Sequence, residues 1–355
     1  MKKLILYSII AVLILLVVFL LLPSPIDPVI WEPPVDKGFT GEFASNEKLN
    51  DLTFLIDHTC IGCEDLAFDT TANVVYAGAA NGDIVRVNLQ SKNTEVVVNT
   101  EGRPFGIQLH PNGDLIIADG IKGLLSLDLV SNEISLLTKS YQNEEMKFVD
   151  DLDISSTGVI YFSDASSKYG YEEVVEDIME RRPHGALYSY DTATKKTELL
   201  LDELYFANGV ALAEDESFVF INETGNVSIS KYWLKGPKAG TREFVNDNLP
   251  GFPDNITTGT KGTYWLTLVS PRQQSIEDLM PKPFMKKLIM KLPKSLHPAP
   301  VHYGCVLGLD KNGKVKYNYQ SSNPEFVEIT SVTEHDGHIY LGSLVDTGIA
   351  YMRIE

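Results

Sequence analysis

An all-β fold, a six-bladed β-propeller set behind an N-terminal transmembrane helix, is what three features of this chain predict. The first is a repeat. A polar lead-in, an apolar strand, a turn and a second apolar strand recur six times. The lead-ins are CEDLAF at Cys63–Phe68, PFGIQL at Pro104–Leu109, DDLDIS at Asp150–Ser155, NGVALA at Asn208–Ala213, DNITTG at Asp254–Gly259 and ITSVTE at Ile329–Glu334. The second strands follow at a nearly constant offset: VVYAG at Val74, LIIAD at Leu115, VIYFSD at Val159, FVFINE at Phe218, TYWLTL at Thr263 and HIYLGS at His338. One such unit cannot bury its apolar face alone, so the copies must pack on each other.

The second feature is spacing. Six copies over the chain give roughly 50 residues each, which suits a propeller blade. The blades are placed at 60–101, 102–145, 146–204, 205–248, 249–322 and 323–355. A third strand is visible in DIVRVNL, GLLSLDL, GALYSYD, SISKYWL and CVLGLD, where apolar and polar residues alternate as in half-buried strands. Asn81-Gly82, Asn112-Gly113, Asn312-Gly313 and Asp336-Gly337 supply the tight reversals. Asp51–Asp57 (DLTFLID) is expected to pair with the last blade and close the ring, which removes the open sheet edges.

The third feature is the N-terminus. Leu4–Leu22 is an unbroken, largely aliphatic run, long enough to span a bilayer core of roughly 30 Å. Lys2 and Lys3 precede it and Leu-Leu-Pro-Ser-Pro follows, with no small-x-small cleavage site. The reading is an uncleaved signal-anchor over 1–22, against a cleaved signal peptide. The lysines put the N-terminus in the cytoplasm and the rest on the extracytoplasmic side. Residues 23–50 open with five prolines between Pro23 and Pro34 and read as a stiff spacer lifting the domain off the membrane. The propeller then occupies 51–355.

Composition narrows the function. Hydrophobic residues make up 44% of the 355, enough for a core. The net charge is −18, which argues against a nucleic-acid partner and suits an acidic exterior or a cation site. Cys60 and Cys63 form a Cys-x-x-Cys pair that reads as a local disulfide, a redox pair or free thiols; no second pair exists to make a zinc site. Asn222, Asn226 and Asn255 match the glycosylation acceptor pattern, though Asn255 falls in the predicted centre.

Four of the six lead-ins carry an oxygen donor at the same phase: Glu64, Asp150, Asn208 and Asp254. In a ring these meet on the axis. An all-oxygen set without His or Cys suits a hard cation, Ca²⁺ before Mg²⁺. Each could instead be an ordinary turn or cap residue; the common phase favours the metal. Asp151 and Asn255 are neighbours that strand alternation turns away from the axis unless the backbone bends. Phe105 and Thr330 hold the matching place in the second and sixth copies and are expected to face substrate, with Asn255. His58 and His110 read as surface or turn residues. No Gly-x-Ser-x-Gly elbow supports Ser-His-Asp catalysis.

Two insertions follow second strands and so rise from one rim. Tyr171–Arg182 has helical spacing. Ile276–Leu296 places Met285, Leu288, Ile289 and Leu292 on one face with Lys286, Lys287, Lys291 and Lys294 around it. It reads as a lid, as a foot on an anionic membrane, or as a helix packed on the propeller edge.

RPFGI, DLDISSTGVIYFSDASSKYG, FANGVALAEDESFVF, YWLKGPKAG, NLPGFPDNI and EHDGHIYLGSL closely resemble the strictosidine synthase-like family, the adipocyte plasma membrane-associated proteins among them. More distantly the chain is similar to the paraoxonases and the gluconolactonase/regucalcin group, all six-bladed. The resemblance implies calcium at Glu64, Asn208 and Asp254. At Asp150 the hydrolytic relatives usually carry Asn. The paraoxonase catalytic histidine falls at Phe105 and the strictosidine synthase glutamate at Thr330, which disfavours both of those chemistries. The leading expectation is a membrane-anchored, calcium-dependent hydrolase of a small ester or lactone, with Asp254 or Asp150 as general base. The alternative is a non-catalytic propeller that binds a ligand or protein around structural calcium.

Overall fold

The computed structural model describes residues 2–355, so Met1 of the expected anchor lies outside them. Six four-stranded sheets follow one another along the chain, five of them each within one of the predicted segments. Their first strands are Leu66–Asp69, Pro104–Leu109, Val149–Ile154, Ala207–Leu212, Gly251–Thr258 and Ile329–His335. Each first strand touches the next, and Leu66–Asp69 touches Ile329–His335, so the six form a closed ring. The last sheet is completed from the other end of the chain. Thr53–Ile56 pairs antiparallel with Ile349–Arg353, with Thr53 opposite Tyr351. This is the predicted closure.

The second strands explain the apolar repeat. Val74–Gly78 and Leu115–Asp119 are buried at every position, because adjacent blades cover both faces. Outer strands such as Thr94–Asn99 are half exposed and correspondingly polar. The core is therefore divided between blades. Val74, Tyr76 and Ile84 of the first blade pack on Ile107, Leu115 and Ile117 of the second. Trp265 and Val306 of the fifth pack on Val332, Ile339 and Leu341 of the sixth. Each buried branched or aromatic side chain contributes about 1.5–3 kcal/mol relative to exposure.

All antiparallel strands of a blade share two rims. The starts of first strands and the connections between second and third strands lie on the same rim, and both insertions rise there. Val174–Glu180 is helical, as its spacing predicted. The second insertion contains Gln274–Glu277 and Pro283–Ile289 as short helices. Lys286 departs from expectation. It is fully buried, with Nζ donating to the Val29 carbonyl at 2.8 Å, and burial pulls its ammonium down to about 8.

That burial arises because residues 23–50 lie along the propeller instead of standing free. Asp27 N–H donates to Glu180 Oε2 at 2.6 Å and Val29 N–H to the Glu180 carbonyl at 3.1 Å. Arg272 Nη2 donates to the Pro34 carbonyl at 2.6 Å, and the Arg181 guanidinium stacks 3.5 Å over the Trp31 ring. Ile26, Tyr169, Met179, Met280 and Met290 form one cluster that joins this strap to both insertions. The prolines fit because an extended segment needs few backbone donors.

Lys2–Leu21 is one helix, and among the described residues it alone is long and apolar enough to cross a membrane. Cys60 and Cys63 are joined as a disulfide, and Cys305 is buried and free. The glycosylation reading fails at Asn222, which is buried and donates to the Asp254 carbonyl at 2.6 Å. Asn255, whose central place already disfavoured a glycan, is buried against Glu64. Both match the pattern through residues that serve the interior.

Candidate functional site

The four lead-in oxygens sit at the starts of first strands, where the chain turns in from the rim toward the axis. Four of the inner strands carry a register break just there: Val149/Leu152, Ala207/Val210, Pro253/Ile256 and Pro104/Ile107. A fifth lies at Ile329/Ser331. Such a bulge re-aims side chains and lets two successive residues both face inward. Backbones approach closely at these points. A Cβ on Gly209 would meet the Asp254 carbonyl and the Ile256 N–H at 2.5 Å, so only glycine fits beside Asn208.

Glu64, Asp150, Asn208 and Asp254 are all buried and all line one cavity of about 500 Å³. Its walls are apolar: Phe105, Phe148, Phe206, Val174, Ile178 and Phe252. Phe105 packs against Phe148 at 4.9 Å and against Tyr171 at 6.0 Å between ring centres. Val174, Val175, Ile178 and Met179 of the first insertion and Gln273, Ile276 and Pro298–Pro300 of the second cover it. Both insertions thus take part in the roof.

The electrostatics follow from crowding acids in a dry place. Burial, then the charges of Asp254, Asp65 and Asp150, push Glu64 well above the usual carboxylate range. Burial and the Asp254 charge do the same to Asp150. Burial pushes Asp254 up to about 7 against a hydrogen bond from Asn208. Among the described residues, Asp150 Oδ2 and Asn208 Oδ1 are buried without a hydrogen-bond partner. Unpartnered buried oxygens cost about 1–3 kcal/mol each unless something binds them. Among the described residues, no three of His, Cys, Asp or Glu are drawn close enough to hold a metal as they stand. The donor chemistry still fits a hard cation, since every converging group is an oxygen and two are unsatisfied.

The neighbouring residues divide into two roles. Asp151 turns to the next blade, where Oδ2 accepts the Val210 N–H at 2.7 Å; Asp65 Oδ2 accepts the Ile107 N–H at 3.0 Å and Asp153 Oδ2 the Leu212 N–H at 2.7 Å. These carboxylates clamp blade to blade. Asn255 turns inward instead. Its Nδ2 donates to Glu64 Oε1 and Oε2 at 3.3 and 3.4 Å. Thr330 lines the cavity while its Oγ1 holds the Glu64 carbonyl at 2.9 Å. His58 contacts Thr347 at the surface, and His110 closes a turn on Asn112.

Two charged cavity residues went unnoticed in the sequence. Arg103 is buried, with Nη1 donating to the Gly62 carbonyl at 2.9 Å and its guanidinium 4.7 Å over the Phe105 ring. Glu328 precedes the first strand of the sixth blade in a left-handed conformation, φ 46°. It lines the cavity, its charge raises Asp254, and its Oε1 lies 3.5 Å from His302 Nε2. Burial raises the Glu328 carboxyl against the pull of His302. The one available signal for both was a charged residue directly before an inner strand.

Comparison with known proteins agrees with this architecture. Residues 150–237 match the family described as strictosidine synthase, and residues 41–87 the family described as strictosidine synthase-like, N-terminal. The adipocyte plasma membrane-associated protein of Salmo salar is 33% identical over 94% of this chain and 85% of its own length. The protein strictosidine synthase-like 4 of Arabidopsis thaliana is 34% identical over 90% of this chain and 88% of its own. Among solved structures, a gluconolactonase from Xanthomonas campestris superposes with a TM-score of 0.63 at 14% identity, covering 94% of this chain and 99% of that one. The calcium-binding protein regucalcin from Agrobacterium tumefaciens superposes with a TM-score of 0.60 at 12% identity, over 84% and 91%. Those two share the fold, whereas the first two share a third of their residues over nearly the whole length, and on that ground the chain belongs to the strictosidine synthase-like family, together with the adipocyte plasma membrane-associated proteins.

Proposed function

We propose that this protein is a membrane-anchored, calcium-dependent hydrolase of esters or lactones, with its propeller on the extracytoplasmic side. One observation carries the reading: the oxygens of Glu64, Asp150, Asn208 and Asp254, two of them unpartnered, form the floor of an apolar cavity of about 500 Å³. Those four residues would hold the cation, which when bound would supply Lewis-acid polarisation of a carbonyl. The fold shared with a gluconolactonase and with the calcium-binding regucalcin agrees with this reading.

The chain's own residues supply the rest. Phe105, Phe148, Phe206 and Ile178 take the apolar part of a substrate and keep bulk water out. Asn255 orients the Glu64 carboxylate. Asp254 and Asp150, expected both as ligands and as bases, would on this reading be occupied with the cation. Glu328, beside Asp254 but outside the four, is the carboxylate suited to take a proton from the attacking water. His302 steadies it.

The test is metal content of the purified full-length protein, with turnover of an aryl-ester and lactone panel before and after chelation. Stoichiometric calcium and chelator-sensitive turnover support the reading. Full turnover by Asp254→Ala would overturn it. A second reading, a ligand-binding propeller with structural calcium, has its own support, because among the described residues no histidine lines the cavity. Calcium-dependent ligand binding without turnover of any ester or lactone would favour it.

A further inference from the structure

Between Lys282 and Leu296 the chain carries five lysines and no acid, within a protein of net charge −18. Lys286 is spent inside on Val29 and Lys287 pairs with Asp27 at 3.1 Å, but Lys282 and Lys294 are exposed, Lys294 touching only the Glu172 carbonyl, and Lys291 is half exposed. Between them stand apolar side chains left partly or mostly in water. Phe284 is 65% exposed, Leu296 62%, Met285 42% and Leu292 36%. Large apolar residues left in water beside a cluster of one charge mark an interaction surface.

The strap identifies what that surface meets. The apolar helix ends at Leu21, and Ile26 is already buried in the cluster that holds Met280 and Met290 of the insertion. Five residues reach at most about 18 Å. Lys291 Nζ also donates to the Leu20 carbonyl at 3.0 Å, one of the orphan acceptors at the helix C-terminus. A bilayer that holds Lys2–Leu21 therefore has its headgroup layer within reach of Pro283–Ile289.

We propose that the Lys282–Leu296 segment docks on the bilayer that holds the N-terminal helix, its lysines on anionic lipid headgroups and Phe284, Met285, Leu292 and Leu296 in the interface. Lysines near such a surface are drawn to its negative charge, and the apolar side chains add burial. Docking fixes the propeller with its cavity rim toward the membrane. Pro298, Ala299 and Pro300 line the cavity directly after Leu296, so its roof adjoins the docked patch. Ligands that partition into the bilayer then reach the cavity without crossing bulk water. The inference rests on the anchor half of the proposed function and not on the hydrolase half.

The experiment uses the full-length chain reconstituted in phosphatidylcholine vesicles with and without phosphatidylserine. A spin label is placed at Phe284→Cys, at Leu13→Cys in the helix, or at Val130→Cys. Val130 is 97% exposed in a turn between third and fourth strands, on the opposite rim. Collision with oxygen and with a water-soluble nickel chelate reads the depth of each label. The expected result is a label at 284 shielded from nickel, more so with phosphatidylserine, and one at 130 fully accessible. Equal nickel access at 284 and 130, with 13 shielded, would overturn docking while leaving the anchor intact. Nickel access at 13 would overturn the anchor itself. Lys282→Glu with Lys294→Glu should restore nickel access at 284; unchanged shielding would overturn the role given to the lysines.

Discussion

Asn255 Nδ2 reaches from the fifth blade to the first and donates to both carboxylate oxygens of Glu64 at 3.3 and 3.4 Å. The bulge between Pro253 and Ile256 makes this possible, because it turns two consecutive side chains, Asp254 and Asn255, toward the centre. Asn255 fixes the orientation of a candidate ligand without being one of the four. Asn255→Ala is expected to lower calcium affinity about 10–100-fold, the usual cost of losing a residue that orients a ligand. Calorimetric titration of the detergent-solubilised chain checks this, and unchanged affinity would remove Asn255 from the site.

Glu328 offers the sharpest separation of chemistry from binding. Glu328→Gln is expected to lower kcat about 10²–10⁴-fold while calcium stays bound. Asp254→Asn should lose both. A Gln variant that keeps kcat would return the proton-transfer role to Asp254 or Asp150.

The strap responds to acid through Glu180. Burial alone would raise its carboxyl, but hydrogen bonds from Lys168, Tyr169, the Asp27 N–H and His184 outweigh that and hold it at about 2. A carboxylate depressed on folding stabilises fully above its unfolded value of about 4.3, and that stabilisation is lost as pH falls toward 2. Amide protection at Asp27 and Val29, taken relative to intrinsic exchange at each pH, should therefore fall below pH of about 4. Glu180→Gln should show low protection already at neutral pH, at a cost of about 1–3 kcal/mol. Unchanged protection across this pH range in the wild type would contradict this.

Packing between blades predicts two further losses. Ile117→Ala opens a cavity between the first and second blades and is expected to cost about 2–5 kcal/mol. Gly209→Ala pushes a methyl into the backbone at Asp254 and should cost about 1–3 kcal/mol. Thermal unfolding in detergent measures both. Calcium titration separates them, because only the Gly209 change moves a candidate ligand.

Much of this was legible because a propeller writes its geometry as a repeat. Val74, Leu115, Val159 and Phe218 recur at one phase since each second strand is covered on both faces. Glu64, Asp150, Asn208 and Asp254 share a phase since each opens an inner strand. What strand alternation could not reveal was the bulge, so it left Asn255 between facing away and facing substrate, whereas the side chain turns in onto Glu64 without lining the cavity. Glu328 was hidden for a related reason: it reaches the cavity through a left-handed residue in a connection, where no periodicity applies. Lys286 was misplaced because helical spacing knows only its own helix, while the strap that buries it comes from Val29, far back in the sequence.

The pairing of Thr53–Ile56 with Ile349–Arg353 has a consequence for biogenesis. The two strands of this pair lie at opposite ends of the repeat array, so the circle stays open until the sixth blade has been made. Until Ile349–Arg353 emerges, both ends of the nascent sheet array present bare hydrogen-bonding backbones to chaperones and to other copies. Deletion of Ile349–Arg353 should therefore behave like an unclasped bracelet, retained and degraded.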